Sequence, residues 1–334
     1  MKKAYYLFNP GRMSRRDNTL CFAAEQEDGS EKRRFLPVKD VSALYMFGSV
    51  DANSALYNFL GRNHIPVHFF DYYQHYTGTF SPREHLLAGQ MLLAQTNAYR
   101  YRKQRMHLAA GFVDGATFNM LRNLKYYQAR GRDTAEAIER IAVLRPQAKL
   151  AKDVPELMGI EGNCRQIYYD AFPTLVPGYA WEGRRRQPPT DELNALVSFG
   201  NSLCYTLCLD AIYNSQLNPT ISFLHEPGYR RYSLALDISE VFKPLLVDRL
   251  LFRMCNKREL GKGDFELVDD ACFLSERGRK RFVAAWEERL KTGIQHRKLG
   301  KRVSYRYLVR IECYKIAKYL MKINDAYEPF HAWW

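Results

Sequence analysis

The spacing of apolar residues changes once along this 334-residue chain, at "SPREHLLAGQMLLAQ", and that change limits the fold more than any other feature. Before residue 81 the apolar residues come in short runs: "AYYLF" (4–8), "TLCFAAE" (19–25), "RRFLPV" (33–38), "SALYMFG" (42–48), "IPVHFFD" (65–71) and "HYTGTF" (75–80). Turn residues separate them, as in "NPGRMSRRDN" and "QEDGS". Aromatic and β-branched runs bounded in this way predict strands. One helix is expected among them, "DANSALYNFLGRN" (51–63), with Asp51 as N-cap and Gly61 near its end. From Ser81 and Pro82, which read as a helix start, a helical period takes over. Helices are expected at about 83–106, 111–130, 133–150, 153–172, 190–214, 232–256, 276–291 and 303–324. A brief β-like pair, "FELVDD" and "CFLSE", interrupts them. The expected fold class is α+β: a small β-rich domain over residues 1–80, then a larger all-α domain over residues 81–334.

Hydrophobic residues make up 46% of the chain, enough for a sizeable core. The net charge of +14 points to a polyanionic partner. Residues 1–80 hold 10 Lys and Arg against 8 Asp and Glu, so 12 of the 14 excess charges lie beyond residue 80. They gather in "RYRKQR" (100–105), "GRRRQ" (183–187), "RGRKR" (277–281) and "HRKLGKR" (296–302). Basic clusters of this kind contact phosphates without reading sequence. "GRRRQ" (Arg184, Arg185, Arg186) and "HRKLGKR" (Arg297, Lys298, Lys301, Arg302) are favoured because both fall on expected loops beside helix ends. Arg230 and Arg231 form a further pair. The seven cysteines are scattered, with no C-x-x-C pair, which argues against structural zinc and for reduced thiols in a cytoplasmic protein. The N-terminus does not read as a signal peptide, and no apolar stretch reads as long enough to span a bilayer, so no membrane partner is expected.

The stretch "HEPGYRRYSLALDISE" (225–240) sets two acids, Asp237 and Glu240, in an apolar run. Acids in such surroundings are costly unless something charged meets them. In a helix the two share a face. Pro244 lacks an N–H and is expected to bend the helix beside Glu240. His225 precedes the helix, and imidazole with carboxylates suits Mn²⁺, while Mg²⁺ would also use the carboxylates. Ordinary ion pairs are the competing reading: Asp237 with Arg230 or Arg231, Glu240 with Lys243 or Lys257. A second acid-bearing helix, "PELMGIEGNCRQIYYDAF" (155–172), sets Glu161 in an apolar segment before Gly162, with Arg165 one turn on. A glycine costs a helix about 1 kcal/mol against alanine, so one here suggests close approach by another group. The competing reading there is a simple Glu–Arg helix pair.

These residues resemble the CRISPR-associated integrase family, CRISPR-associated protein one. "GIEGNCRQIYYDAF" is similar to its E-G-x-x-[RA]-x-x-Y-[FW] helix, and "QLNPTISFLHEPGYRRYSLALDISEVFKPLLVDR" to its second signature. "NALVSFGNSLCYTLCLDAIY" is similar to the helix between them. The flavour is that of subtype I-B. Asn201 stands where many relatives carry Tyr, and Ser222 where they carry Gly.

The resemblance implies that Glu161, His225 and Glu240 are metal ligands for Mg²⁺ or Mn²⁺, with Asp237 an additional catalytic acid. Arg165 is then a DNA contact. The implied activity is insertion of short DNA fragments into a CRISPR array by 3′-hydroxyl attack on a phosphodiester, together with hydrolysis of branched DNA. Implied partners are DNA, a second copy of the chain bound through the β-rich domain, and CRISPR-associated protein two. A structure-selective repair nuclease and a non-enzymatic architectural DNA-binding protein are the alternatives. The tail "AYEPFHAWW", ending in Trp333 and Trp334, is expected to dock on the chain's own body.

Overall fold

A computed structural model describes residues 2–25, 30–83, 86, 88–185, 188–228 and 232–333. Arg186, Arg230, Arg231, Trp334 and most of the expected "QEDGS" loop lie outside the described residues. The chain divides into two compact units, Met1–His85 and Leu86–Trp334. The first is strand-rich and the second mainly helical, an α+β architecture.

In the first unit, β1 (Lys3–Leu7), β5 (Val41–Met46) and β7 (Val67–Phe70) pair in parallel, and β8 (Tyr76–Phe80) closes that sheet antiparallel to β7. The second sheet has the order β4 (Glu31–Pro37), β3 (Thr19–Glu25), β2 (Gly11–Arg16), β6 (Val50–Asp51). Leu7, Met13, Leu20, Leu44, Leu60 and Val67 belong to its buried core. Two expectations are corrected. "GRMSRR", read as part of a turn mix, is strand β2, and its turn into β3 is confined to Asp17 and Asn18, Asp17 having φ +53°. Asp51 lies in β6 and does not cap α1 (Ser54–Arg62). Asn53 does, its side chain accepting from Leu56 N at 3.0 Å. Either short polar residue can cap a helix, so type alone did not place the start.

In the second unit, α2 (Gly89–Arg100) meets α3 (Arg102–Gln128) at Tyr101, whose backbone is extended. The sequence places helix ends near 106 and 111, whereas α3 runs unbroken through both. Gly111 and Gly115 are notches on its surface. A Cβ at Gly111 would lie 2.7 Å from the Tyr327 ring, and one at Gly115 2.8 Å from Pro329. There follow α4 (Ala135–Leu144), a 3₁₀ turn at Arg145–Lys149, α5 (Val154–Asp170), the short α6 (Phe172–Leu175) and α7 (Glu192–Tyr213). Asp191 caps α7, accepting from Asn194 N at 2.8 Å. Against expectation, α7 is long and apolar enough to cross a membrane, but most of it is buried inside the unit, as suits a core helix.

The expected bend at Pro244 is a π-helical turn, Pro244–Asp248, joining α8 (Ser233–Lys243) to α9 (Arg249–Asn256). Side chains take up the carbonyls it leaves. Asn119 Nδ2 donates to Val241 O at 2.9 Å, Asn123 Nδ2 to Pro244 O at 2.7 Å, and Arg289 Nε to Leu245 O at 2.9 Å. The β-like pair is the hairpin β9 (Phe265–Val268) and β10 (Ala271–Leu274), followed by α10 (Glu276–Lys291). A second hairpin, β11 (Gly293–His296) and β12 (Lys301–Ser304), precedes α11 (Tyr305–Leu320) and replaces the loop expected at "HRKLGKR". Its strands are only four residues long, too short for a period-2 pattern to show. The tail docks as expected as far as Trp333. Tyr327 Oη donates to the buried Glu312 at 2.6 Å, Ala332 N to Asn119 Oδ1 at 2.9 Å, and Trp333 Nε1 to Gln295 O at 2.9 Å.

Candidate functional site

Helices α5 and α8 each contribute one acid to a shared ion-pair network. Asp153 caps α5, accepting from Glu156 N at 2.9 Å, and so fixes the register that aims Glu161 and Arg165, one turn apart, the same way. Arg165 Nε donates to Glu161 Oε1 at 2.7 Å, and its Nη2 donates to Glu240 Oε2. Lys243 Nζ donates to the other oxygen, Glu240 Oε1, at 2.6 Å. Two carboxylates from distant parts of the chain therefore share one guanidinium. Burial pushes the Glu240 carboxyl up, but Arg165 and Lys243 outweigh it and bring it down to about 2. Burial likewise opposes the charge on Arg165, and Glu240 and Glu161 overcome it.

His225 lies on the loop between α7 and α8, and Asp237 builds that loop. The Asp237 carboxylate, fully buried, accepts from Phe223 N at 2.7 Å, Leu224 N at 3.0 Å and His225 N at 2.9 Å. His225 Nδ1 lies 2.9 Å from Asp237 Oδ1. A carboxylate only accepts, so Nδ1 carries a hydrogen, and in the neutral ring the lone pair is on Nε2. Ser222, one of the two departures from the family pattern, donates Oγ–H to His225 O at 2.6 Å and tightens the same loop.

Several expected roles change here. Asp237 lies beneath the surface and is fully engaged, so it positions His225 instead of facing a substrate. Arg165 is a DNA contact by expectation, yet it is buried between Glu161 and Glu240. Arg184 is half-buried and serves the start of α7, donating to Asn194 Oδ1 at 2.8 Å and Ser198 Oγ at 3.0 Å. Arg185 is exposed, as are Arg297, Lys298, Lys301 and Arg302 on the β11–β12 hairpin. There Lys298 pairs with Glu328, and Arg297 stands over the Trp333 ring. Among the described residues, nothing beyond its own helix comes within 4 Å of where a Cβ on Gly162 would lie.

Among the described residues no three His, Cys, Asp or Glu side chains converge closely enough to hold a metal ion as they stand, because the Arg165 guanidinium lies between the two acids. The chemistry of the donor set nonetheless fits a divalent cation. It has two carboxylates and an imidazole whose second nitrogen is fixed by a carboxylate on the first, the usual support for a ligating histidine. Sequence reasoning passed over Asp248, although it lies inside "FKPLLVDR" of the second signature. It weighed Lys243 only as a plain ion-pair partner.

The family model for CRISPR associated protein Cas1 matches residues 5–288. The chain belongs to the Cas1 family. A CRISPR-associated endonuclease Cas1 of Thermodesulfovibrio yellowstonii is 43% identical over 331 residues, covering 99% of each chain. The structure of a Cas1 protein from Thermotoga maritima superposes with a TM-score of 0.85 at 36% identity, covering 98% of this chain and 99% of that one. A casposase bound to integration product shares the Cas1 fold, with a TM-score of 0.88 at 21% identity over 98% of this chain and 93% of that one.

Proposed function

We propose that this Cas1 family member is a divalent-metal-dependent DNA nuclease and integrase that joins a DNA 3′-hydroxyl to a phosphodiester of a CRISPR repeat. The observation that carries the proposal is the pairing of Glu161 and Glu240 through one guanidinium, beside a histidine whose Nδ1 is held by Asp237. Glu161, Glu240 and His225 Nε2 would hold the Mg²⁺ or Mn²⁺. When bound, that ion supplies positive charge to the scissile phosphate and to the oxygens on which charge develops.

The chain's own groups do the rest. Asp237 holds the imidazole in one orientation and keeps the proton on Nδ1. Arg165 and Lys243 lower the Glu240 carboxyl and keep it ionised. The exposed hairpin cations Arg297, Lys298, Lys301 and Arg302, with Arg185, line up duplex phosphates. We assign pairing with a second copy to the β-rich unit, catalysis to the helical unit, and the remaining partner role to Cas2.

The test uses a short DNA with a free 3′-hydroxyl and a supercoiled plasmid carrying a repeat, with Mn²⁺ or Mg²⁺. Joining is expected, and it falls to background with Glu161→Ala or excess chelator. Cleavage of forked DNA without joining would favour the repair nuclease. Full activity in chelator would leave an architectural protein with a structural ion-pair network.

A further inference from the structure

Asp248 is a buried acid near this site that the proposed reaction does not use. It ends the π-helical turn, is 1% exposed, and among the described residues nothing hydrogen-bonds its Oδ2. A buried carboxylate oxygen without a donor costs free energy, so its presence calls for a reason. Its surroundings supply one. Tyr168, one turn beyond Arg165 on α5, accepts from Asn123 Nδ2 at 2.9 Å, and the same amide donates at 2.7 Å to Pro244 O, at the start of the turn that Asp248 ends. Arg165 and Tyr168 thus project from one face of α5, and the Arg165 charge acts directly on Asp248. Burial still prevails there and pushes Asp248 up to about 7.

The charges show why a second anion matters. Arg165 and Lys243 together balance Glu161 and Glu240. A divalent cation joining them would add two positive charges to a largely buried cluster, and Arg165 uses the carboxylate oxygens the cation needs. If the guanidinium turns to a different buried anion, the carboxylate oxygens are freed and one of the two added charges is met, and Asp248 Oδ2 is such an acceptor.

We propose that Arg165 is a positioning residue with two seats: it holds Glu161 and Glu240 together in the arrangement described above, and it moves onto Asp248 when a divalent cation takes the two carboxylates. The inference rests on reading Glu161, His225 and Glu240 as the cation's ligands. In this scheme Asp248 acts only through Arg165.

The test is Mn²⁺ binding to the full chain without DNA, followed by calorimetry and by electron paramagnetic resonance of the free ion. Arg165→Gln removes the internal competitor and tightens Mn²⁺ binding by about tenfold, whereas Asp248→Asn removes the second seat and weakens it by a similar factor. In the double variant the Asp248→Asn effect disappears, because there is no guanidinium left to receive. Arg165→Gln binding Mn²⁺ no more tightly than the parent overturns the switch, as does an Asp248→Asn effect that persists in the double variant. A parent that binds no Mn²⁺ overturns the ligand assignment and the switch with it. Near-ultraviolet circular dichroism confirms that each variant is folded. Should Arg165→Gln not fold, Arg165→Lys replaces it: a single ammonium cannot bridge both acids as a planar fork does, so tighter binding is again expected.

Discussion

Asp237 and Glu240 sit one turn apart in the same apolar helix, and their surroundings give them opposite work. Asp237 accepts three main-chain N–H groups and the His225 ring, and meets no cation among the described residues. Replacing it with Ala strands three buried donors, so we expect a loss of about 3 kcal/mol or more in denaturant unfolding. Asp237→Asn keeps the volume but sets an amide N–H against donors, and Mn²⁺ affinity should fall about 10- to 100-fold by calorimetry. Glu240 is held at about 2, below the ordinary 4.5 it regains on unfolding. Its stabilisation is complete above pH 4.5 and is lost as pH falls from there toward 2. Asp248 has the opposite sign, standing at about 7 against an ordinary 3.8. Its cost is absent below about pH 4, grows from about 4 to about 7, and stays constant above that. Asp248→Asn should therefore raise the melting temperature over the parent increasingly between those two values and by a fixed amount beyond. A pH-independent difference would contradict this.

At the scale of elements, the π-helical turn decides the site, since it fixes how Glu240 on α8 faces Arg165 on α5. Pro244 starts the turn, and the side chains of Asn119, Asn123 and Arg289 complete its hydrogen bonding. Against it packs Gly200 of α7, where an added Cβ would come within 2.4 Å of Val247 Cγ1. Gly200→Ala should cost about 1–3 kcal/mol of stability, read as a lower denaturation midpoint, because the turn must shift to admit the methyl group. The bend was legible in the sequence from Pro244 alone, since a missing N–H has only local consequences. Its π form was not, because it depends on donors from α3 and α10. The notches at Gly111 and Gly115 were hidden for the same reason: they answer a tail at the far end of the chain. The hairpin carrying Arg297 to Arg302 was too short to announce itself.

For the whole molecule, charge is the property that matters most, with 12 of the 14 excess positive charges lying beyond residue 80. The exposed hairpin cations predict salt-dependent DNA binding. Changing Arg297, Lys301 and Arg302 to Gln should flatten the log–log salt slope by about 0.9 for each phosphate that is no longer neutralised, measured by fluorescence anisotropy on duplex DNA. Binding should weaken alike on all sequences. The tail contributes to integrity in the helical unit, because Tyr327 and Phe330 donate to Oε1 of the buried Glu312, and Asn119 ties the tail to α8.

By itself the sequence determined the two-part α+β organisation, because strand and helix periods are local properties of neighbouring residues. It also pointed to Glu161 and Glu240, whose presence in apolar runs demands a partner whatever the fold, and to His225 just before the helix of Glu240. Only the tertiary structure decided what each of them meets. Arg165 became the bridge between two acids instead of a hand held out to DNA. Asp237 became a support for His225, and Asp248 an acid with an unused oxygen. Those outcomes depend on the packing of α3, α5 and α8, which brings together charges from distant parts of the chain, and no spacing along one segment encodes such a meeting.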